Sequence, residues 1–186
     1  MKSIILLFEL FLNQNNPKLF QRLNVGISQE SFKSKMNTIG IGFEIDIFQL
    51  YEWRNGIKDP NSLDEMFYCG VFMPIDTSIE VYDKLSIKDT LWEKKFFPLF
   101  SNYAGEFILI DIDSKSKGYK KIFIFSPLMY SQPVIIYDNL YSMMHSVVEC
   151  YKTKAYQFEN GQLLIDFDIL YNVCKGNNKQ SKFWND

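Results

Sequence analysis

A chain of 186 residues, 47% apolar and 17% aromatic, has enough apolar surface to bury a sizeable core within one domain, and its 17 Phe and 11 Tyr are read as core first. Twenty basic residues against 22 acidic ones give a net charge of −2, without the basic excess that phosphate contacts need, so direct nucleic-acid binding is not expected. Cys69, Cys150 and Cys174 are far apart and form no CxxC pair for zinc or redox work; they read as reduced, packed thiols.

The chain opens Met1-Lys2-Ser3 and runs into apolar residues, but Glu9 interrupts them well short of the about 20 a membrane span requires. A cytoplasmic location is the expectation. The first helix, about Ser3 to Asn13, is apolar on almost every side, so its spare face is either buried or turned to a partner or a second copy. A second helix is expected from an Asp46 N-cap to Arg54, with Asn55-Gly56 as a left-handed stop. Met66 to Met73 reads as a strand. Thr77 and Glu80 have capping-box spacing for a third helix that turns Val81 and Leu85 inward.

The period then changes to two, with strands expected at about Phe96 to Phe100, Glu106 to Asp113, Tyr119 to Phe125 and Pro133 to Tyr137, an antiparallel meander. Ser114 to Gly118 is the hairpin between two of them, and Gly105 marks a bulge or a close backbone approach. Leu140, Met143, Met144, Val147, Val148 and Tyr151 make a continuous apolar stripe on a fourth helix that starts at Asp138 or Asn139 and ends near Lys154. A last helix is expected from Asp166 or Asp168 to Gly176. The whole reads as a single α+β domain over 1–176, with an antiparallel sheet of four to six strands flanked by helices and a flexible tail over 177–186.

Chemistry is sparse along this pattern. His145, the single histidine, falls off the Leu140 stripe and reads as a surface residue without an orienting partner. With one histidine and scattered cysteines, zinc sites and histidine-based triads have no candidate set, and no cofactor is expected. Asp111 and Asp113 alternate onto one strand face, where a pair of carboxylates suits a hard cation or a small Asp-dependent hydrolase. The competing reading pairs them across the hairpin with Lys120 and Lys121. Gly40 and Gly42 lack the third glycine or the lysine of a phosphate-binding loop. Tyr51, Trp53 and Tyr68 read as core before they read as a sugar platform.

Charge is unevenly distributed. Phe43 to Asp83 holds nine acids (Glu44, Asp46, Glu52, Asp59, Asp64, Glu65, Asp76, Glu80, Asp83) and two bases (Arg54, Lys58), a balance of −7 against +5 elsewhere.

Several short motifs, taken in order, resemble the SUKH superfamily, which includes the yeast cell-wall-synthesis regulators and many bacterial immunity proteins. They are the helix ending Leu50-Tyr51-Glu52-Trp53-Arg54-Asn55-Gly56, Phe72 leading into the helix from Thr77, Phe97-Pro98-Leu99-Phe100, and Gly105-Glu106-Phe107-Ile108-Leu109-Ile110-Asp111. A further strand and the helix from Asn139 complete the match over about Phe43 to Lys154. Ile45-Asp46 stands where that family usually has Leu-Pro. The resemblance implies a SUKH-like fold and a bacterial immunity protein, not an enzyme, that binds a cognate secreted toxin, often a nuclease or deaminase. From the apolar pattern alone, no membrane partner is expected, and the chain reads as a monomer or weak homodimer. The alternative on the same fold is a regulatory or scaffolding protein. On the toxin reading, the acidic stretch faces a basic toxin, with Asp59, Asp64, Glu65, Asp76 and Glu80 as the partner-binding candidates.

Overall fold

The computed structural model describes residues 1–61, 63–87 and 93–185. The expected α+β class is what the chain adopts. Helices α1 (Lys2–Asn15), α2 (Pro17–Gln21), α3 (Gln29–Thr38) and α4 (Ile45–Trp53) lead into strand β2 (Arg54–Ile57), with β1 (Leu23–Val25) lying between α2 and α3. The main sheet follows: β3 (Val71–Phe72), then helix α5 (Ile75–Ile87), then β4 (Phe96–Ser101), β5 (Phe107–Asp111), β6 (Ile122–Phe125) and β7 (Val134–Tyr137). These five strands are antiparallel in sequence order, and β1–β2 and β8 (Tyr156–Glu159)–β9 (Gln162–Ile165) form separate hairpin-sized sheets. Helix α6 (Leu140–Lys152) precedes β8, and α7 (Phe167–Asn177) and α8 (Lys182–Asn185) end the chain.

Alternation in β5 and β6 makes the sheet two-faced. Ile108, Ile110, Ile122 and Ile124 join the large core under α1, α4 and α6, whereas Leu109, Phe123 and Phe125 join Phe96 in a small cluster on the other face. Two register shifts adjust this pattern. The first, between Pro98 and Phe100, lets Leu99 and Phe100 both enter the large core; the second lets Ile136 and Tyr137 do the same. The stripe expected on the fourth helix is buried on α6 from Leu140 to Tyr151, behind an Asn139 cap whose side chain accepts from the Ser142 amide at 2.9 Å.

Helix α1 divides its apolar residues between two sides. Ile4, Ile5, Phe8 and Leu12 are buried, while Leu6 and Leu10 are 63% and 50% exposed. No helix among the described residues is long and apolar enough to cross a membrane.

Four expectations are corrected. Glu44, not Asp46, is the N-cap residue of α4, and Gly56 lies inside β2 instead of ending the helix. Its φ of +70° matters less there than its missing side chain, because a Cβ would sit 2.2 Å from the Pro74 nitrogen. Asn55 reaches across the same junction, and its side chain accepts from the Ile75 amide at 2.9 Å, capping α5. Of the strand expected over Met66 to Met73 only Val71–Phe72 forms, since Gly70 N–H closes a turn onto the Phe67 carbonyl at 2.8 Å and Cys69 is left-handed. Val81 packs against the small cluster as expected, and the Leu85 side chain lies outside the described residues.

The tail expected to be flexible over 177–186 is docked as far as residue 185. Asn178 is fully buried, its side chain donating to the Cys174 carbonyl and the Ser146 hydroxyl and accepting from the Asp138 amide. Ser181 Oγ and Trp184 Nε1 donate to the carbonyls of Ile135 and Ile136 at 2.9 and 2.6 Å, covering the last strand of the sheet. Periodicity gave no warning of this, because the anchors are single polar side chains and one tryptophan. Trp184→Ala should therefore lower stability by about 3–5 kcal/mol. The urea midpoint reads this directly, and a midpoint equal to that of the parent chain would mean the tail is not docked.

Candidate functional site

The acid-rich stretch does not face solvent as one negative field. Six of its nine acids meet bases from outside the stretch: Glu44 and Asp46 with Lys120, Glu52 with Lys2, Asp64 with Arg22, Asp76 with Lys35 and Glu80 with Lys84. The charge asymmetry of the sequence is thus largely cancelled in space.

Arg22 does most to shape the loop after β2. Its Nη2 donates to the Asp59 carbonyl at 2.9 Å and to Asp64 Oδ2 at 3.0 Å, while Nη1 meets Asp64 Oδ1. Asp64 Oδ2 also accepts from the Asn61 amide at 2.9 Å. Asp64 is only 4% exposed, so its expected place on a partner-facing surface is corrected: an inward carboxylate fixes the loop. Asp59, Asp76 and Glu80 are exposed, the last two within surface ion pairs. Glu65 is half-buried.

Around Glu65 the chain gathers groups that the sequence scatters. The turn over Met66 to Gly70 directs the Cys69 thiol to Glu106 Oε2 at 3.2 Å, and Asn102 Nδ2 donates to the same oxygen at 2.7 Å. Tyr68 lies edge-on to Phe167 with ring centroids 6.0 Å apart, and Tyr130, at the end of the turn after β6, is close enough to feel the charge of Glu106. Desolvation pushes the Glu65 carboxyl up to about 7; the nearby Glu106 charge adds to the rise, and a hydrogen bond from the Cys69 backbone opposes it. Burial and then Glu106 push the Cys69 thiol up, the reverse of what activates a nucleophilic cysteine. Burial also raises Tyr68 and Tyr130.

Large apolar side chains stand out beside this cluster. Leu128 is 95% and Met129 63% exposed on a turn closed by Met129 and Tyr130 amides donating to the Ser126 carbonyl, and Phe167 is 60% exposed. Next to them an open groove of about 510 Å³ is lined by Phe123, Met129, Tyr130, Pro133, Ile135 and Lys182.

The other sequence candidates go elsewhere. Asp111 is 1% exposed and closes the hairpin, accepting from the Asp113 amide at 3.0 Å and the Ser116 hydroxyl at 2.5 Å. Strand β5 ends at Asp111, so Asp113 turns out to solvent and caps the Lys115 amide instead. Asp111 and Asp113 border one open groove that Lys121 also lines, but neither forms an ion pair with it, and Lys120 bridges to Glu44 and Asp46 instead of crossing the hairpin to them. His145 is half-buried beside Tyr141, with ring centroids 6.2 Å apart. Among the described residues, no three His, Cys, Asp or Glu side chains are placed to share a metal ion. The three cysteines are free and buried, as expected.

No protein-family model and no curated protein sequence matches this chain.

Two outcomes follow for the loop. Asp64→Ala, which leaves Arg22 without its partner, should cost about 2–3 kcal/mol in urea unfolding, whereas Asp59→Asn should stay within about 0.5 kcal/mol. Glu65 carries an extra proton in the folded state, so its contribution is fully present below about pH 4.5 and is lost as pH rises through about 7. Glu65→Gln should match the Tm of the parent near pH 4.5 and exceed it at pH 8; equal values at both pH would refute the desolvated carboxyl.

Proposed function

We propose that the chain is a binding module of the immunity-protein kind, which neutralises a cognate secreted toxin by protein–protein contact and performs no chemistry of its own. The observation that carries this reading is the cluster of exposed Leu128, Met129 and Phe167 around half-buried Tyr68 and Tyr130. Large apolar and aromatic side chains held on closed turns, with polar groups between them, are the usual composition of a binding hot spot. Asp111, Asp113 and Cys69, the groups nearest to a catalytic set, each have an internal structural partner. The SUKH-like order of motifs supplies the partner class, and a cytoplasmic chain guarding its own cell fits it.

Steering is weaker on this reading than the −7 stretch suggests, because so many of those acids already have cations. Exposed Asp59, Asp76 and Glu80 remain the outer acids that a basic toxin would meet first.

Co-expression with the product of the adjacent gene, followed by growth and pull-down assays, tests the reading. Protection from that product is the expected result. An isolated gene whose product captures no neighbouring toxin favours the regulatory or scaffolding role instead. In the complex, changing Leu128 and Met129 together to Ser should weaken binding by about 2 kcal/mol or more, mostly through faster dissociation. Changing Asp59, Asp76 and Glu80 together to Lys should slow association about tenfold at low salt and much less at 0.5 M. Association rates that ignore both salt and charge reversal would remove those acids from the contact.

A further inference from the structure

Deepening the binding-module reading, on which it rests, we infer that the face formed by Tyr68, Tyr130, Phe167 and Met129 receives an arginine side chain of the partner, held by the carboxylates of Glu65 and Glu106.

Charge complementarity identifies the occupant. The other acids of the acid-rich stretch that are not exposed, and Glu9 before it, have a basic partner: Glu9 has Arg54, Glu44 and Asp46 have Lys120, and buried Asp64 has Arg22; Asp111, on β5, is instead satisfied inside its own hairpin. Glu65 and Glu106 are also partly buried, yet among the described residues neither forms an ion pair with a lysine or arginine. The hydrogen bonds Glu106 does receive come from a neutral amide and a thiol, and Glu65 has a backbone amide. A desolvated Glu65 carboxyl beside Glu106, with only neutral donors to either, is costly to ionise, and a cation arriving from outside lets the pair carry its charge.

The surroundings select a guanidinium over an ammonium. Half-buried Tyr68 and Tyr130 both lie within electrostatic reach of Glu106, and Phe167 stands edge-on to Tyr68 at its outer side. A planar, weakly hydrated guanidinium stacks on such rings while its fork of N–H donors reaches two acceptors; an ammonium keeps its water more tightly. A bare metal ion is a poorer fit, since the thiol here is held protonated and one Glu106 oxygen already accepts from Asn102. Apolar residues flanking the arginine would rest on Met129 and Phe167, which are 63% and 60% exposed.

The probe is the capped tripeptide acetyl-Phe-Arg-Leu-amide, titrated into the ¹⁵N-labelled full chain, with acetyl-Phe-citrulline-Leu-amide as its neutral, near-isosteric control. The arginine peptide should move the amide signals of Tyr68, Cys69, Glu106 and Tyr130 in a saturable way and bind about tenfold more tightly than the citrulline peptide. Glu65→Gln and Tyr68→Leu should each reduce that discrimination several-fold while leaving the remaining spectrum in place. Equal binding of the two peptides overturns the inference, as do shifts confined to another face or a Glu65→Gln chain that discriminates as well as the parent. A chain that protects from its neighbouring toxin but fails this titration loses only the arginine site. One that passes the titration but captures no toxin keeps the site and loses the immunity role.

Discussion

The position of the turn that carries Glu65, Tyr68 and Cys69 depends on one guanidinium. Arg22 lies just before β1, yet it ties together Lys58, Asp59 and Asp64, more than 35 residues further along the chain. Its own carbonyl accepts from the Lys58 amide at 3.0 Å, so backbone and side chain clamp the same loop. A polar loop of that length would otherwise pay backbone entropy of about 1–2 kcal/mol per ordered residue with few apolar contacts in return. A bidentate, mostly buried ion pair supplies direction where packing cannot, and the residues after Asp64 begin from a fixed point. Glu65, Tyr68 and Cys69 owe their places to that start, and Tyr151, whose hydroxyl donates to the Met66 carbonyl, holds the next step.

Much of the architecture was legible because it rests on periodicity. The stripe of α6 and the alternation in β5 and β6 are local patterns that survive folding unchanged. Element edges moved where tertiary contacts overrode local preference. Asn55-Gly56 looked like a helix stop and is instead a crossing point, with Gly56 making room for the Pro74 backbone and Asn55 capping a helix 20 residues on. The docked tail escaped because its anchors, Asn178 and Trp184, are single residues whose partners are distant in sequence, whereas the β8–β9 hairpin carries a local signal in Asn160-Gly161, whose left-handed φ values of 51° and 84° form the two-residue turn.

The site was less legible than the fold, for a reason rooted in electrostatics. Charge summed along a segment ignores which cations the fold will bring back to it, and here Lys2, Arg22, Lys35, Lys84 and Lys120 all come from outside the acidic stretch. Asp64, an outward acid by that count, is among the most buried polar groups. Glu65 keeps its candidacy for a different reason than charge density: desolvation without a cation. Glu106, Tyr130 and Phe167 could not have been joined to it from the sequence, since they sit 41, 65 and 102 residues away, on β-turn and helix-start positions that have no shared period.

Backbone conformation gives independent support for treating this face as built to be rigid. Cys69 and Tyr103 both adopt left-handed φ, 56° and 54°, although neither is glycine. Each such residue costs on the order of 1 kcal/mol, tolerated only where surrounding contacts over-determine the conformation. Both lie next to Glu106 contacts: Cys69 contributes its thiol, and Asn102, next to Tyr103, orders the loop by accepting the Ala104 and Glu106 amides at 2.9 and 3.0 Å. A surface held rigid in this way would lose little entropy when a partner arrives, which is the preorganisation that the proposed binding role would need.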